Sequence, residues 1–363
     1  MGGFALEDME DVRTMASAVR SSVESGRMPP WKADPGCNDY QGDFSLTEEE
    51  KSTLIDWLDG GMPEGDPSAA VTGSVHAGTQ LERTDFTLSM DEAYVPQVVP
   101  DDYRCFILDW PETEGTYLTG YKVNPGNVEV VHHVISYVFG SEYRAAFDEM
   151  DEAEVGAGYT CYSGPGGVAD EDAIWLGAWA PGDDDGNLPN GTGLYVESGS
   201  FVIMQVHYNT SGGGAEPALS SMDVMIEDEV ERPAIIQPWT NPMWLYSDSM
   251  NIPAGETTTH SFTYTPGLNL NIHTASLHMH KLGDSARLWV DRADGSETCL
   301  LSDSAWDFDW QRSYAFTDPI EFHDGDALSV ECTWTNTTDE DISWGEGTGD
   351  EMCLGVMLLT AAD

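Results

Sequence analysis

Apolar residues near the start of the chain recur at three- and four-residue steps, which places them on one face of a helix. Pro29 and Pro30 follow this stripe and end the helix, because proline removes a backbone donor and restricts the residue before it. Thr47 and Glu50 have the spacing of a capping box, so the pattern predicts a second helix that ends near Gly60. The stripe consists of Met9, Val12, Met15, Ala16, Val19 and Val23.

From about residue 80 the pattern changes to short alternating runs separated by turn clusters, which is typical of strands. Regular spacing of this kind favours β-sandwiches or jelly rolls, and the region is long for a single sandwich. We therefore predict a mainly-β chain with two tandem antiparallel β-sandwich (jelly-roll) domains, 80–226 and 230–363, after a small α-helical segment, 1–72. The runs are 87–90, 104–108, 129–138, 201–208, 286–290 and 327–334.

The charge balance excludes two classes of partner. Lys and Arg total 14 against 65 Asp and Glu, which gives a formal net charge of −51. Such a chain repels nucleic acid and anionic membrane surfaces, and it has no apolar run of the roughly 18 residues that a membrane span needs. The acidic residues are spread along the whole chain, which is typical of a surface adapted to high salt or of many weak cation sites. Because no signal peptide is visible at Met1, we expect the natural chain to begin further upstream.

The cysteines bear on the cellular compartment. None forms a CxxC pair, so a thiolate zinc site or a thioredoxin-type site is not expected. An even number at wide spacing favours disulfides and hence a periplasmic or secreted location. Six cysteines allow fifteen pairings, and six buried free thiols are the alternative. The residues are Cys37, Cys105, Cys161, Cys299, Cys332 and Cys353.

Five of the nine histidines lie in strand-like apolar runs. Residues two apart in a strand share a face, so His278 and His280 can bind one metal ion together. The adjacent His132 and His133 need a bulge or a twist to converge, and His207 is the fifth. Imidazole suits zinc, copper, iron and nickel. The alternative is that all five are core residues bonded to backbone carbonyls.

Four motifs occur in a defined order: Val131-His132-His133-Val134, Gln205-Val206-His207-Tyr208, His278-Met279-His280 and Asp350-Glu351-Met352-Cys353. In this order they resemble the type II copper monooxygenases, which include peptidylglycine α-hydroxylating monooxygenase and dopamine β-monooxygenase. The resemblance covers about residues 85–363. It implies an enzyme that hydroxylates a C–H bond with dioxygen and two electrons, with ascorbate as a reductant.

The resemblance also implies two copper ions per chain. His132, His133 and His207 would hold the first copper, which passes an electron, and the second, where dioxygen binds, would be held by His278, His280 and Met352. A thioether favours Cu(I), the state that must meet dioxygen, although core packing is the alternative role for Met352. By the same comparison Cys105 would pair with Cys161 and Cys332 with Cys353, which leaves Cys37 and Cys299 unpaired or joined to each other.

Three positions depart from the peptide-amidating members of the family. Those enzymes carry an arginine two residues before the HxH motif, where this chain has Ser276, and an asparagine and a tyrosine after the last motif, where it has Leu354 and Val356. An unpaired buried carboxylate costs on the order of several kcal/mol. We therefore expect a small, neutral or apolar substrate with an activated C–H bond, not a peptidylglycine. Gln205 completes the expected substrate pocket.

The N-terminal segment resembles the tail of a c-type cytochrome domain at residues 27–31, 45–50 and 57–61. This resemblance implies that Met28 is a haem axial ligand in a longer protein. The chain has no CxxCH motif to attach haem, so either the attachment half lies upstream or the segment is a remnant. An upstream c-type haem would supply electrons in place of ascorbate or beside it.

The main hypothesis is therefore a copper monooxygenase whose partners are a small-molecule substrate, dioxygen and an electron donor. One alternative is a non-catalytic copper protein that relays or stores electrons on the same fold. Another is a carbohydrate- or calcium-binding β-sandwich, for which the acidic loop 183–187 offers oxygen ligands. His273 is expected beside a metal or in the core, and His76, His260 and His323 at the surface.

Overall fold

The computed structural model describes most of the chain. It covers residue 6, residues 8–66, residue 68 and residues 81–162, 164–166, 173–180, 186–210, 216–247 and 249–362. Two sites of our predictions, His76 and residues 183–185 of the acidic loop, lie outside these described residues. Within the described part, no helix combines the length and the apolar character that crossing a membrane requires.

Four α-helices occur in the described residues, and the first two form the N-terminal segment. The first begins after Asp8, whose carboxylate accepts hydrogen bonds from two amides of the first turn. The second begins after Thr47, and the predicted capping box with Glu50 is present. An ion pair between Arg20 and Asp59 joins the two helices. The helices are α1 (Met9–Glu24), α2 (Glu48–Asp59), α3 (Arg144–Glu152) and α4 (Pro242–Tyr246).

The strands form three sheets in the described part of the chain, and each strand-like run of the sequence lies in one of them. One sheet of five strands belongs to the first half of the β region. Its order is β5 (Tyr159–Thr160), β2 (Asp101–Asp109), β8 (Phe201–Asn209), β4 (Val131–Phe139) and β6 (Ile174–Trp179).

A second sheet has eight strands and takes members from both halves. Its order starts with β1 (Phe86–Ser89), β9 (Ser221–Glu227), β3 (Thr116–Asn124) and β7 (Thr192–Val196). It continues with β10 (Arg232–Trp239), β17 (Leu354–Ala361), β12 (Leu270–His278) and β15 (Tyr314–Phe322).

The third sheet covers the second half of the eight-stranded sheet, as the five-stranded sheet covers the first half. Val134 and Val206 pack with Leu118 in one core, and Ile272 packs with Leu288 in another. The predicted mainly-β sandwich architecture is confirmed. The third sheet has the order β11 (Thr257–Tyr264), β16 (Ala327–Thr335), β13 (Gly283–Asp291) and β14 (Glu297–Asp303).

Strand β10 joins the two halves. It pairs in parallel with β7 over three register positions, from Arg232 opposite Thr192 to Ala234 opposite Leu194. It then pairs antiparallel with β17, from Ala234 to Trp239. The gap between the two predicted domains, residues 226–230, lies just before this strand, and strands from both sides of the gap belong to the same sheet. The sheets are therefore not antiparallel throughout, and the domain limits 80–226 and 230–363 stay a prediction.

Three disulfides account for all six cysteines. Cys105 is joined to Cys161, Cys332 to Cys353, and Cys37 to Cys299. The first two are the pairs that the resemblance implies, and the alternative of six free thiols is wrong. The third bond ties the N-terminal segment to β14. Disulfides at this density indicate folding in an oxidising compartment.

Candidate metal centres

Three histidines converge where β4 and β8 lie side by side. His133 is directly opposite His207 in the register of these strands. The register shifts between Val131 and His133, so His132 is an extra residue in β4. This irregularity lets neighbouring side chains turn toward one point, and it is the bulge that the adjacent pair requires. We name His132, His133 and His207 the tri-histidine cluster.

The nitrogen atoms of this cluster have the spacing of metal ligands. The Nδ1 atom of His133 lies 3.3 Å from Nδ1 of His132 and 3.4 Å from Nδ1 of His207. Two nitrogens that each lie about 2.0 Å from one ion at a tetrahedral angle are separated by roughly 3.3 Å. All three ligand atoms lie within 4.8 Å of one another. The three rings therefore fit one ion bound through Nδ1.

Burial keeps these imidazoles neutral. It lowers the pKa of His132 to about 3, with a further contribution from the positive charges that His207 and His278 would carry. Burial also lowers the pKa of His133 and of His207, and for His207 a hydrogen bond to Asp101 works in the opposite direction. A metal ligand must be unprotonated. The cluster consequently offers three lone pairs at neutral pH.

Asp101 orients His207 from behind, and no motif or pattern in the sequence points to it. Its Oδ1 atom lies 2.9 Å from Nε2 of His207, so Nε2 carries the proton and Nδ1 is left for a metal. Burial of Asp101 alone would raise its pKa, but the hydrogen bonds from His207 and Thr348 lower that pKa to about 2. Tyr103 stacks on the His207 ring at 4.1 Å and donates to the carbonyl of Glu346. Thr348 and Glu346 belong to the second half, so the first cluster is supported by both halves.

The second group of ligands lies at the end of β12. His278 is the last residue of that strand, and His280 follows in a turn, so the prediction that both lie in one strand is wrong. Their rings are nevertheless close, with centroids 5.1 Å apart. His278 Nδ1 donates to Oε1 of Gln311 at 2.6 Å, and His280 Nδ1 donates to the carbonyl of Asp350 at 3.1 Å. Each ring is therefore left with Nε2 as its metal-facing nitrogen.

Met352 is anchored near this end of β12 by its neighbour in the sequence. The buried Glu351 carboxylate accepts hydrogen bonds from the amides of His280 and Leu282 and from the indole of Trp334. Cys353 on the other side forms the disulfide to β16. Met352 itself is 7% exposed and lines the same cavity as both rings. We name His278, His280 and Met352 the His–Met cluster.

Both clusters open on one cavity of about 470 Å³. Ser276 and Val356 are opposite each other on β12 and β17, and His278 is opposite Leu354. Residues at alternate positions of a strand face the same side, and all four of these side chains line the cavity. The predicted pocket residue Gln205 lines it too, with its amide donating to the carbonyls of Cys161 and Gly164. The rest of the lining is largely apolar and aromatic, including Tyr121, Trp175, Trp179, Ile236 and Trp344.

The two clusters lie close together. The ring centroids of His133 and His278 are 6.4 Å apart. Phe308 lies between the clusters: its ring stacks on His132 at 4.5 Å and meets His280 edge-on at 6.0 Å. Neither Phe308 nor Gln311 was singled out from the sequence. Aromatic residues are frequent in the 304–312 region, so nothing in the pattern distinguished the one that separates the clusters.

The remaining predictions fall elsewhere. His273 is a core residue bonded to Thr360, and His323 is exposed as expected. The expectation of a surface position is wrong for His260, which is partly buried against Trp244 and bonded to the carbonyl of Asn251. Met28, the predicted haem ligand, is partly buried after α1, and its amide donates to a carbonyl of that helix.

Comparison with known families now adds to this geometry. Residues 86–213 match the N-terminal domain of copper type II ascorbate-dependent monooxygenase, and residues 241–359 match its C-terminal domain. The chain belongs to the copper type II ascorbate-dependent monooxygenase family. The two matches place one cluster in each domain of the family.

Several curated proteins are similar to this family member. Peptidyl-glycine alpha-amidating monooxygenase B of Xenopus laevis is 25% identical over 74% of this chain and 29% of its own length. The Mus musculus enzyme is 24% identical over 77% of this chain and 27% of its own. DBH-like monooxygenase protein 1 of Gallus gallus is 24% identical over 72% of this chain and 45% of its own length. The chain thus spans less than a third of the length of the two amidating relatives.

Solved structures are more distant. PNGF-II aligns with 76% of this chain and 65% of its own at 11% identity, and the TM-score of 0.30 is too low to support any conclusion.

The donor atoms fit the metal of the family. The tri-histidine cluster offers three neutral imidazole nitrogens, a set that copper accepts in both oxidation states. The His–Met cluster offers two imidazoles and a thioether, a soft donor that favours Cu(I). Ligation by these six residues stays a prediction, and the spacing of the first three supports it.

Proposed function

We propose that this chain is a copper-dependent monooxygenase that hydroxylates a C–H bond of a small, neutral or apolar substrate with dioxygen. The observation that carries the proposal is the shared cavity. Ligand sets from both domains open on one space of about 470 Å³, where a single small molecule can meet both. Bound copper would supply the redox chemistry, one electron from each site, which is the pair that inserting one oxygen atom into a C–H bond consumes.

The residues around the clusters prepare this chemistry. Asp101, Gln311 and the carbonyl of Asp350 each hold a proton on the outward nitrogen of a histidine, which fixes the ring and directs its other nitrogen inward. Phe308 and the apolar walls would disfavour water in the space between the clusters. Exclusion of water protects reactive oxygen species from premature protonation and release.

The cavity wall supports a substrate without a buried carboxylate. On β12 and β17, beside the His–Met cluster, the wall presents Ser276, Leu354 and Val356, none of which can neutralise an anion. Among the described lining residues, Arg312 and Glu346 are the ones that carry a formal charge at neutral pH, since burial keeps the histidines neutral. They carry opposite charges, so together they add no net charge to the wall.

The electron donor and the location complete the proposal. Ascorbate is the reductant in the name of the family, and a c-type haem upstream of the segment that contains Met28 is the other donor we consider. The three disulfides support a periplasmic or secreted protein.

The first test replaces Met352 with isoleucine in the copper-loaded protein. We expect reductant-dependent dioxygen uptake with substrate to be lost, because the thioether that stabilises Cu(I) is gone. The tri-histidine cluster should still hold its copper, so metal analysis should show about one ion per chain instead of two. Met250→Ile, at a fully buried position outside the cavity, is the matched control and should leave uptake unchanged.

The outcomes separate the alternatives. Turnover that survives Met352→Ile would contradict the assignment of the dioxygen site. Two coppers in the wild type without dioxygen uptake toward any substrate would indicate an electron-transfer or storage protein. Fewer than one copper after reconstitution would favour a carbohydrate- or calcium-binding sandwich.

A second test addresses the substrate. Neutral aromatic and aliphatic candidates are compared with a peptide that ends in glycine, with product and dioxygen consumption measured together. We expect turnover of neutral compounds and little of the peptide. Efficient peptide turnover that Arg312→Ala abolishes would overturn the neutral-substrate proposal and assign Arg312 as the carboxylate anchor.

A further inference from the structure

The N-terminal segment lies outside both family matches, yet part of it contacts the second half at length. We name residues 31–44 the strap. Its Cys37 is bonded to Cys299 of β14, and Asn38 donates to the carbonyl of Cys299. Tyr40 donates to the carbonyl of Leu300 and stacks on Phe316 of β15. The strap therefore contacts two strands that are consecutive in the chain but belong to different sheets, β14 at the edge of the four-stranded sheet and β15 at the edge of the eight-stranded sheet.

Between those two strands runs the segment that separates the metal clusters. We name residues 304–312 the bridging segment. It touches three of the five histidines: Phe308 stacks on His132, Gln311 accepts from His278, and Trp306 donates to the carbonyl of His280. It is also stiffened internally, because the Gln311 amide donates to the carbonyl of Phe308 at 2.9 Å.

The strap contacts the bridging segment at both of its ends. At the first end, Asp34 accepts from Ser304 at 2.6 Å and Lys32 donates to the carbonyl of Ala305. At the other end, the Arg312 guanidinium lies 5.2 Å from the ring centre of Trp31 and 5.0 Å from that of Phe44. Cation–π contacts of this geometry contribute most where the cation is shielded from water.

We propose that the strap is a positioning element of the copper centres. By holding both ends of the bridging segment, it fixes Gln311 against His278 and Phe308 between His132 and His280. It thereby sets the separation of the two clusters as well as the orientation of one ligand. This proposal rests on the assignment of the two clusters as copper sites, but it does not depend on which substrate is oxidised.

The test compares the wild type with Trp31→Ala/Phe44→Ala, which removes both rings from Arg312. Copper affinity is measured by chelator competition, and the Cu(II)-loaded protein is examined by electron paramagnetic resonance for dipolar coupling between the two ions. We expect a weaker second site in the double variant, by no more than the 10- to 100-fold that loss of a hydrogen-bond partner of a ligating histidine costs, because Gln311 itself is retained. We also expect weaker coupling between the ions, while the tri-histidine site keeps its affinity.

Controls distinguish positioning from general destabilisation. The single variant Trp31→Phe keeps an aromatic ring over Arg312. Its copper affinity at the second site and the dipolar coupling between its two ions should therefore stay close to the wild-type values. Arg13→Ala and Lys51→Ala break ion pairs within the N-terminal helical region and should change neither. If the double variant does not fold, Trp31→Ala and Phe44→Ala are made singly, and each should show part of the effect because each removes one of the two rings from Arg312.

Unchanged affinity and unchanged coupling in folded strap variants would overturn the proposal. Wild-type protein with two coupled coppers and no hydroxylation of any substrate would refute the proposed function and leave this inference standing. Fewer than two coppers in the wild type would overturn both.

Discussion

At the scale of single residues, Asp101 links a metal-facing histidine to the other half of the molecule. It bonds His207 at 2.9 Å and also accepts from Thr348, which lies in the other half of the molecule. A carboxylate behind a ligating histidine fixes the ring and increases its basicity. Asp101 thus supports the metal site and joins the two halves with the same side chain.

We predict that Asp101→Asn weakens copper binding at the tri-histidine site by about 10- to 100-fold. The amide can still accept a hydrogen bond from His207, but the negative charge that favours the bound cation is lost. Chelator competition with the copper-loaded protein measures the change. Asp109→Asn, at the exposed far end of the same strand, is the matched control. Equal affinity in the two variants would show that the Asp101 charge is irrelevant.

The candidate ligands could be singled out from the sequence, whereas the residues that surround and orient them could not. His132, His133 and His207 stand out because histidine is unusual in an apolar strand, and the family motifs add His278, His280 and Met352. Asp101 is one of 65 acidic residues, and its importance depends on a register between strands about 100 residues apart in the chain. Local patterns carry no information about such register, so these residues emerge only from the fold.

At the scale of elements, strand β14 ends in a buried carboxyl group that lies close to charged residues of the strap. Asp303 is the last residue of β14 and is 5% exposed. Burial raises its pKa to about 6, and the nearby Asp34 and Asp307 act in the same direction. The folded protein therefore retains a proton that the unfolded chain releases near pH 4. Stability from this group is complete below about pH 4 and is lost as the pH rises through 6.

We predict that Asp303→Asn stabilises the copper-free protein at pH 8 by roughly 1–3 kcal/mol and has little effect near pH 4. The amide oxygen can still accept from the amide of Ala305, as the carboxylate does. Urea unfolding at the two pH values measures the difference. Asp309→Asn, exposed in the same region, should show no such dependence. A stabilisation equal at both pH values would contradict the burial explanation.

The helices and strands also show which elements could be predicted from the periodicity of apolar residues in the sequence. The capping box at Thr47 and the alternating runs located helix α2 and the predicted strands, because these signals are local. The turn at His280 was not predicted, since Ala275, Leu277 and Met279 continue the alternation of apolar residues and made the motif resemble a continuing strand. Of the contacts that the strap makes with β14 and β15, the sequence offered the Cys37–Cys299 bond as one of two alternatives. The hydrogen bonds and ring contacts beside it were not predicted, because they join residues more than 250 positions apart.

For the whole molecule, the dominant quantity is the formal net charge of −51. Mutual repulsion of so many carboxylates opposes compaction, and dissolved ions screen it. Among the described residues several acidic groups find arginine partners, as Asp326 does with Arg292. With 14 basic residues in the chain, most acidic groups have no such partner to find.

We predict that the melting temperature rises with sodium chloride between about 0.05 and 0.5 M and then levels off, as the Debye length falls to a few ångströms. Each kcal/mol of repulsion relieved corresponds to roughly 2–4 °C for domains of this size. Differential scanning calorimetry across the salt series measures the curve. A linear rise without a plateau would indicate exclusion of salt from the surface, and a flat curve would show that repulsion is not limiting.

The strand that passes between the halves has a mechanical consequence. Residues 232–234 are hydrogen-bonded to one half, and residues 234–239 to the other. A large rotation of one half relative to the other would break backbone hydrogen bonds between β10 and its neighbours β7 and β17. Oxygen, substrate and product would therefore enter and leave a nearly rigid cavity past the side chains at its entrance. The rates of substrate binding and product release should depend on the size of those side chains.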